Sequence, residues 1–177
     1  VEYARPSLVK IYSQAGFDFL YVEYEHTFFN PAALADTILC ARDNGLPAIA
    51  KTPQLERAAV AKLLESGLVG VQLPRTESRN DLETLISFMK FPPPGTRAGA
   101  PGWGNTDYQL PEDDARWLTE ADESTLVVAH IETVDGYRNA EEIISTPDLD
   151  MCYVGPYDFS ISMGPPGDYD HPDVAGP

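Results

Sequence analysis

Short apolar strands alternating with segments of helical period predict an α/β fold in which a parallel sheet is covered by helices. Three observations carry this reading. The strand candidates are apolar at consecutive positions, as strands buried on both faces are. Each is followed by a helix-start signal or a Pro/Gly turn. Polar residues gather where strands stop, which is where barrel enzymes carry their functional groups. Six strand candidates in 177 residues have the density of a (β/α)8 barrel lacking about one unit at each end, since a complete one takes about 250 residues. A doubly wound open sheet is the alternative. Its dinucleotide-binding version is disfavoured because no glycine-rich phosphate loop follows the first strand.

The elements follow in order. The first strand, 18–23, owes its apolar character to Phe19, Leu20, Tyr21 and Val22 and is preceded by Gly16. Asn30-Pro31 then supplies an N-cap and a proline at the first helical position. Helical spacing through Leu34, Ile38 and Ala41 continues until Asn44-Gly45 ends it. A second strand, 47–51, a turn at Thr52-Pro53 and an amphipathic helix, 55–66, end at Gly67. The unit repeats as strand 69–74 and helix 78–91. Pro92-Pro93-Pro94-Gly95 breaks that helix before a fourth extended piece, 96–100. A long loop from Gly102 to Pro111 and a polar helix, 113–122, lead to strand 126–132. Helix 137–145 and strand 151–156 complete the alternation. Residues 160–170 read as irregular, and His171-Pro172-Asp173 as the cap of a further helix. The whole chain, 1–177, is expected to form one domain.

Composition narrows the function. With 28 Asp and Glu against 12 Lys and Arg, the net charge is −16, which argues against nucleic acid or an anionic membrane as partner. Sixteen prolines, about twice the usual share, fit many turns between short elements. Cys40 and Cys152 sit in apolar runs and read as buried thiols of a reducing compartment, so a cytoplasmic location is expected. No apolar run reaches the roughly 18 residues of a membrane span.

The strand ends carry the candidate chemistry. The first ends in Glu23-Tyr24-Glu25-His26, the second at Lys51, the third at Gln72-Leu73-Pro74-Arg75, the fifth at His130-Ile131-Glu132 and the sixth at Gly155-Pro156-Tyr157-Asp158. Strand alternation points His130 and Glu132 to one face. Glu132 and Asp158 are the first candidates for a hard divalent ion such as Mg²⁺ or Mn²⁺; capping of the following helices is the alternative. His26, flanked by acids, suits a general base, or is a half-buried histidine bonded to backbone. Lys51 suits an anion or enolate, or a Schiff base if its pKa is depressed; a solvated, snorkelling lysine is the alternative. Trp103 reads as a lid over the site or, more simply, as an aromatic anchor of the long loop. The acids at 112–114 and 120–123 read as a solvated helix face.

These residues also carry a resemblance. Ala15-Gly16-Phe17-Asp18 with Glu25-His26, Leu63-Leu64-Glu65-Ser66-Gly67 with Val71-Gln72-Leu73-Pro74, Phe91-Pro92-Pro93-Pro94-Gly95-Thr96-Arg97, Ile131-Glu132-Thr133 and Gly155-Pro156-Tyr157-Asp158-Phe159-Ser160 resemble, in order and spacing, the signatures of the HpcH/HpaI aldolase/citrate lyase family of class II pyruvate aldolases. The resemblance implies a (β/α)8 barrel of the phosphoenolpyruvate/pyruvate type, incomplete here at its first and last strands. It implies a Mg²⁺, Mn²⁺ or Co²⁺ ion held by Glu132 and Asp158, and His26 as base supported by Glu65. Backbone N–H groups around Gly155, Tyr157 and Asp158 would receive a substrate carboxylate. Pro156, His130 and Lys51 would line the substrate, and Glu23 and Glu25 would stand behind them. The substrates implied are a 2-oxo acid such as pyruvate or oxaloacetate and an aldehyde, in a homo-oligomer.

Departures from the family pattern are expected to alter substrate preference or reduce activity. Lys51 replaces an arginine, losing its bidentate fork. Tyr24 and Tyr157 replace small residues, Glu23 and Glu65 replace aspartates, His130 replaces a glutamine and Ala98 a glycine. Three functions remain open at this point. They are aldol cleavage of 4-hydroxy-2-oxo acids, a macrophomate synthase-like decarboxylation of oxaloacetate with capture of the enolate, and a non-catalytic barrel fragment serving in binding or assembly.

Overall fold

The computed structural model describes residues 1–175. Five parallel strands, β1 (Leu20–Glu23), β2 (Ala48–Lys51), β3 (Gly70–Leu73), β4 (Leu126–Ile131) and β5 (Met151–Val154), lie side by side in chain order. Strictly sequential order is that of a barrel arc; a doubly wound sheet reverses direction partway. The sheet is therefore a five-stranded half-barrel, with one strand fewer than expected. Residues 96–100 are extended but unpaired, because the N–H of Thr96 goes to Ser87 O and that of Arg97 to Lys90 O (3.0 Å), at the end of a helix. β3 instead pairs directly with β4, Gly70 opposite Leu126.

Helices cover the outer face: α1 (Pro6–Gln14), α2 (Pro31–Asp43), α3 (Arg57–Glu65), α4 (Arg79–Met89), α5 (Asp114–Ser124), α6 (Val134–Arg138), α7 (Ala140–Ile144), α8 (Pro156–Met163) and α9 (Pro172–Ala175). Asn30 caps α2 through its side chain, accepting from Ala32 N at 2.9 Å, with Pro31 in the first turn. Ser78 and Asp113 cap α4 and α5 in the same way. The helix expected over 137–145 starts earlier and breaks at Asn139. The stretch expected to be irregular after 160 begins inside α8, and α1 has no counterpart among the expected elements.

The two sheet faces do different things. Leu20, Val22, Ala48, Ala50, Val71, Leu73, Val127, Ala129 and Ile131 point outward and form one core with Val9, Ile38, Val60, Leu64, Leu82, Leu85 and Ile143 from the helices. The alternate residues Tyr21, Ile49, Lys51, Gln72, Val128, His130 and Tyr153 point inward and line a cavity. β1 and β5 are the sheet edges, and Val1 covers part of β1 by accepting from Glu23 N at 3.1 Å. Neither cysteine is fully buried: both Cys40 and Cys152 are half-exposed. No described helix is long and apolar enough to cross a membrane.

Candidate active site

The inward residues enclose a cavity of about 460 Å³ reaching from the sheet's inner face to the C-terminal strand ends. Register explains who meets whom. Glu23 stands opposite Lys51, Lys51 opposite Gln72, and His130 opposite Tyr153. In parallel strands these inward neighbours lie on one wall.

Lys51 is the centre of the first group. Its side chain is almost wholly buried, and its Nζ lies 2.8 Å from Glu23 Oε2 and 2.9 Å from Glu25 Oε2. Burial alone would lower the lysine pKa; the two carboxylates outweigh it and raise it above the ordinary value. A neutral amine is what a Schiff base needs, so the depressed pKa that route required is absent and Lys51 is a fixed cation. Burial pushes the Glu23 carboxyl up, but Lys51 and the N–H groups of His26 and Glu25 bring it below the ordinary carboxylate value. Glu23 also shapes the loop after β1: its Oε1 accepts from Glu25 N (3.0 Å) and His26 N (3.2 Å), and its carbonyl from Thr27 Oγ1 (2.6 Å). His26 stands at the rim, its ring largely exposed and its Nε2 3.3 Å from Glu25 Oε2. Glu25 thus touches both the cation and the candidate base.

The second group hangs on β4. Arg75, in the left-handed region at φ 48°, turns its N–H onto Glu132 Oε1 at 2.8 Å. Thr76 N donates to His130 O (3.0 Å), and His130 N donates to Thr76 Oγ1 (3.2 Å). The Pro74–Thr76 turn therefore clamps the strand end carrying both side chains. Glu132 Oε2 stays free of hydrogen bonds to the backbone and lies 3.2 Å from His130 Nε2. Burial raises the Glu132 carboxyl, Asp158 adds to the rise and the Arg75 N–H opposes it. Burial, then Lys51, lowers the His130 imidazole to about 4, leaving it neutral near pH 7.

Asp158 reaches the same cavity from the first turn of α8, which starts directly after β5. Pro156 at the first helical position has no N–H to satisfy, while the N–H groups of Tyr157 and Asp158, two residues that line the cavity, have no partner within the helix. The Gly155 N–H is already given to Ile131 O at 2.9 Å, so it is unavailable to a substrate carboxylate.

The donor set fits a divalent cation. Two carboxylates line one cavity, Asp158 disfavours the charge on Glu132, one Glu132 oxygen is anchored and the other free, and Gly155 leaves open a space that a Cβ would fill against Glu132 Oε2 at 3.0 Å. Among the described residues no three His, Cys, Asp or Glu donors already converge, so substrate or solvent oxygens would complete the shell.

The sequence-based expectations fare unevenly. His26, Lys51, His130, Glu132, Gly155, Pro156, Tyr157 and Asp158, with Glu23, line one cavity. Glu65 does not join them. It ends α3, beside the start of β3, and its charge is felt by Arg97 at the opposite end of the sheet. Within this chain it cannot support His26, and Glu25 stands there instead. Tyr24 turns away from the mouth to stack on Phe29, centroids 6.1 Å apart, whereas Tyr157 does line the cavity. Trp103 is no lid: it is mostly exposed and adjoins Gly104, which packs on Ser66 and Gly67 at the far end. Gln72 and Arg75, which the sequence places at the third strand end without a role, and Thr76, which it does not single out, also contribute. Gln72 accepts from the Tyr21 hydroxyl across the cavity floor, and Arg75 and Thr76 form the clamp. Gln72 was findable as a polar residue inside an apolar strand; nothing in an arginine announces a left-handed backbone.

The profile of the family described as HpcH/HpaI aldolase/citrate lyase matches residues 1–176. A protein of Chromohalobacter salexigens named hydroxypyruvate/pyruvate aldolase is 29% identical over 167 residues, covering 93% of this chain and 64% of the relative. A 5-keto-4-deoxy-D-glucarate aldolase of Shigella sonnei is 22% identical, covering 97% and 66%. The crystal structure of an HpcH/HpaI aldolase from Desulfitobacterium hafniense superposes with a TM-score of 0.91 at 28% identity, over 98% of this chain and 66% of that one. The chain thus spans just under two thirds of the length of these proteins.

Proposed function

The chain belongs to the HpcH/HpaI aldolase/citrate lyase family, and on that premise we propose that it is a divalent-metal-dependent carbon–carbon lyase that cleaves or forms 4-hydroxy-2-oxo acids through a pyruvate-type enolate. The observation that carries this is the convergence of Lys51, His26, Glu132, Asp158 and the α8 N-terminus on one cavity. The name of the Chromohalobacter relative, with its two 2-oxo acids, supports the substrate class.

Glu132 and Asp158 would hold the ion, with Arg75 N–H fixing Glu132 so that one oxygen faces the cavity. When bound, a divalent ion supplies Lewis-acid stabilisation of charge on a keto oxygen. The Tyr157 and Asp158 N–H groups receive the substrate carboxylate at the α8 N-terminus. Lys51, held as an ion pair between Glu23 and Glu25, presents its charge to an enolate oxygen. His26, oriented by Glu25 at 3.3 Å, takes the aldol hydroxyl proton as the carbon–carbon bond breaks and delivers a proton to the enolate carbon to give the methyl group, and in the reverse sense it removes a methyl proton to form the enolate.

The test is exchange of the pyruvate methyl protons into deuterated water, followed by NMR with and without Mg²⁺ or Mn²⁺. Exchange that needs the ion and falls by at least about tenfold in His26→Ala is the expected result. Exchange independent of added metal, or none with the ion bound, would sink the proposal. Pyruvate release from oxaloacetate in the same preparation would separate decarboxylation from aldol chemistry.

A further inference from the structure

We infer that His130 is a third protein ligand of the divalent ion, giving this chain a mixed nitrogen–oxygen site of His130, Glu132 and Asp158. The inference rests on the proposed ion site between the two carboxylates and goes beyond it by adding a nitrogen donor that selects among metals.

Three features point to the imidazole. First, His130 is buried, with 5% of its surface exposed, and neither ring nitrogen has a hydrogen-bond partner. Buried imidazoles are ordinarily satisfied. The ring's close neighbour is the Tyr153 ring, edge-on at 4.9 Å, and it offers no partner to Nε2.

Second, Nε2 stands 3.2 Å from Glu132 Oε2 without forming a hydrogen bond to it. That is the separation of two donors on one ion. Ligands about 2.0–2.2 Å from a metal, at angles of about 90–110°, lie about 2.8–3.6 Å apart. The other Glu132 oxygen is held by Arg75 N, so Oε2 is the one left for the ion.

Third, the backbone has kept the adjoining volume clear. A Cβ on Gly155 would collide with His130 Nε2 and lie 2.9 Å from Glu132 Cβ and 3.0 Å from Oε2. The Thr76 clamp fixes the His130 backbone through both its N–H and its C=O, so the ring is placed rather than free to wander. The His130–Glu132 pair is the preformed part of the site. Asp158, on the first turn of α8, lines the same cavity and would complete the set.

An all-oxygen site suits Mg²⁺, whereas an added imidazole favours Mn²⁺, Co²⁺, Ni²⁺ or Zn²⁺. Two measurements on the intact chain test this, neither reading activity. Electron spin-echo modulation of Mn²⁺ titrated into the protein should show directly coordinated ¹⁴N in wild type and none in His130→Gln. Calorimetric competition should show His130→Gln losing at least about tenfold of its Ni²⁺ affinity while Mg²⁺ affinity changes less than about threefold. His130→Asn is the second variant if glutamine disturbs folding. Bound Mn²⁺ without nitrogen coupling, or equal losses for both metals, would overturn the ligand role and leave the carboxylate site standing. No Mn²⁺ bound by wild type would overturn both.

Discussion

The two walls of the cavity are built to different standards. On the β2–β3 wall every strand residue is buried on both faces, and the strands carry Lys51 and Gln72 on a backbone packed against α3 and α4. On the β5–α8 wall, Met151, Tyr153 and Val154 are each more than half exposed, as is Tyr157. Both walls are parallel sheet in register; they differ in what covers them. The comparison teaches that the cation on β2 and the anchored carboxylate after β4 sit on buried strands, while Asp158 and the α8 N-terminus sit on an element whose second face is open. The proposed carboxylate-binding site lies on the half whose residues are less covered.

Removing the charge from the rigid wall should have the largest effect. Lys51→Met leaves Glu23 and Glu25 facing each other in a largely buried site without their cation. Breaking a buried pair on one side costs about 3 kcal/mol or more, so the urea midpoint should fall accordingly. A loss below about 1 kcal/mol would mean that solvent reaches this wall and that the two walls are alike.

Next in size is a matched pair that tests the packing directly. Val71 in β3 is fully buried, whereas Val154 in β5 is 59% exposed. Val71→Ala should cost about 2 kcal/mol, from lost transfer energy and an incompletely closed cavity. Val154→Ala should stay under about 1 kcal/mol. Urea unfolding of both variants checks this. Equal losses would show that something covers the β5 face in solution, a second copy included, and would remove the contrast.

The contrast also marks how far the residues could be read beforehand. The buried strands were legible because a run such as Ala48-Ile49-Ala50 has no polar face. β5 was equally legible, yet nothing in Met151-Cys152-Tyr153-Val154 tells that one face lies open, since apolar runs report what a strand would bury and not whether anything lies there. Residues 96–100 failed for a related reason: Thr96 and Arg97 have an extended pattern but spend their N–H groups on the end of α4. His130 and Glu132 were placed on one face by alternation alone, and that holds. Glu65 was carried over by resemblance, and only its position at the end of α3 removes it from His26. The Arg75 clamp was invisible, because a positive φ at a non-glycine residue is imposed by its surroundings.

The smallest effect is the pH dependence of the rigid wall, and it sharpens the comparison by isolating one carboxylate. Glu23 titrates below the ordinary carboxylate value in the folded chain. A group lowered on folding stabilises above its unfolded pKa, and that contribution is lost as pH falls through the lower, folded value. Glu23→Gln should therefore be less stable than wild type near pH 7, with the gap constant down to about pH 5 and closing below about pH 4.5. Lys51 has the opposite sign: raised on folding, its contribution is complete below its unfolded value of about 10.5 and fades only as pH climbs through the folded one. The wall should thus hold a flat plateau between these limits, measured as urea midpoints of both proteins from acid to alkaline pH. A gap that persists undiminished at pH 3 would mean that Glu23 stabilises the wall through its loop hydrogen bonds to Glu25 and His26 and not through the charge of Lys51.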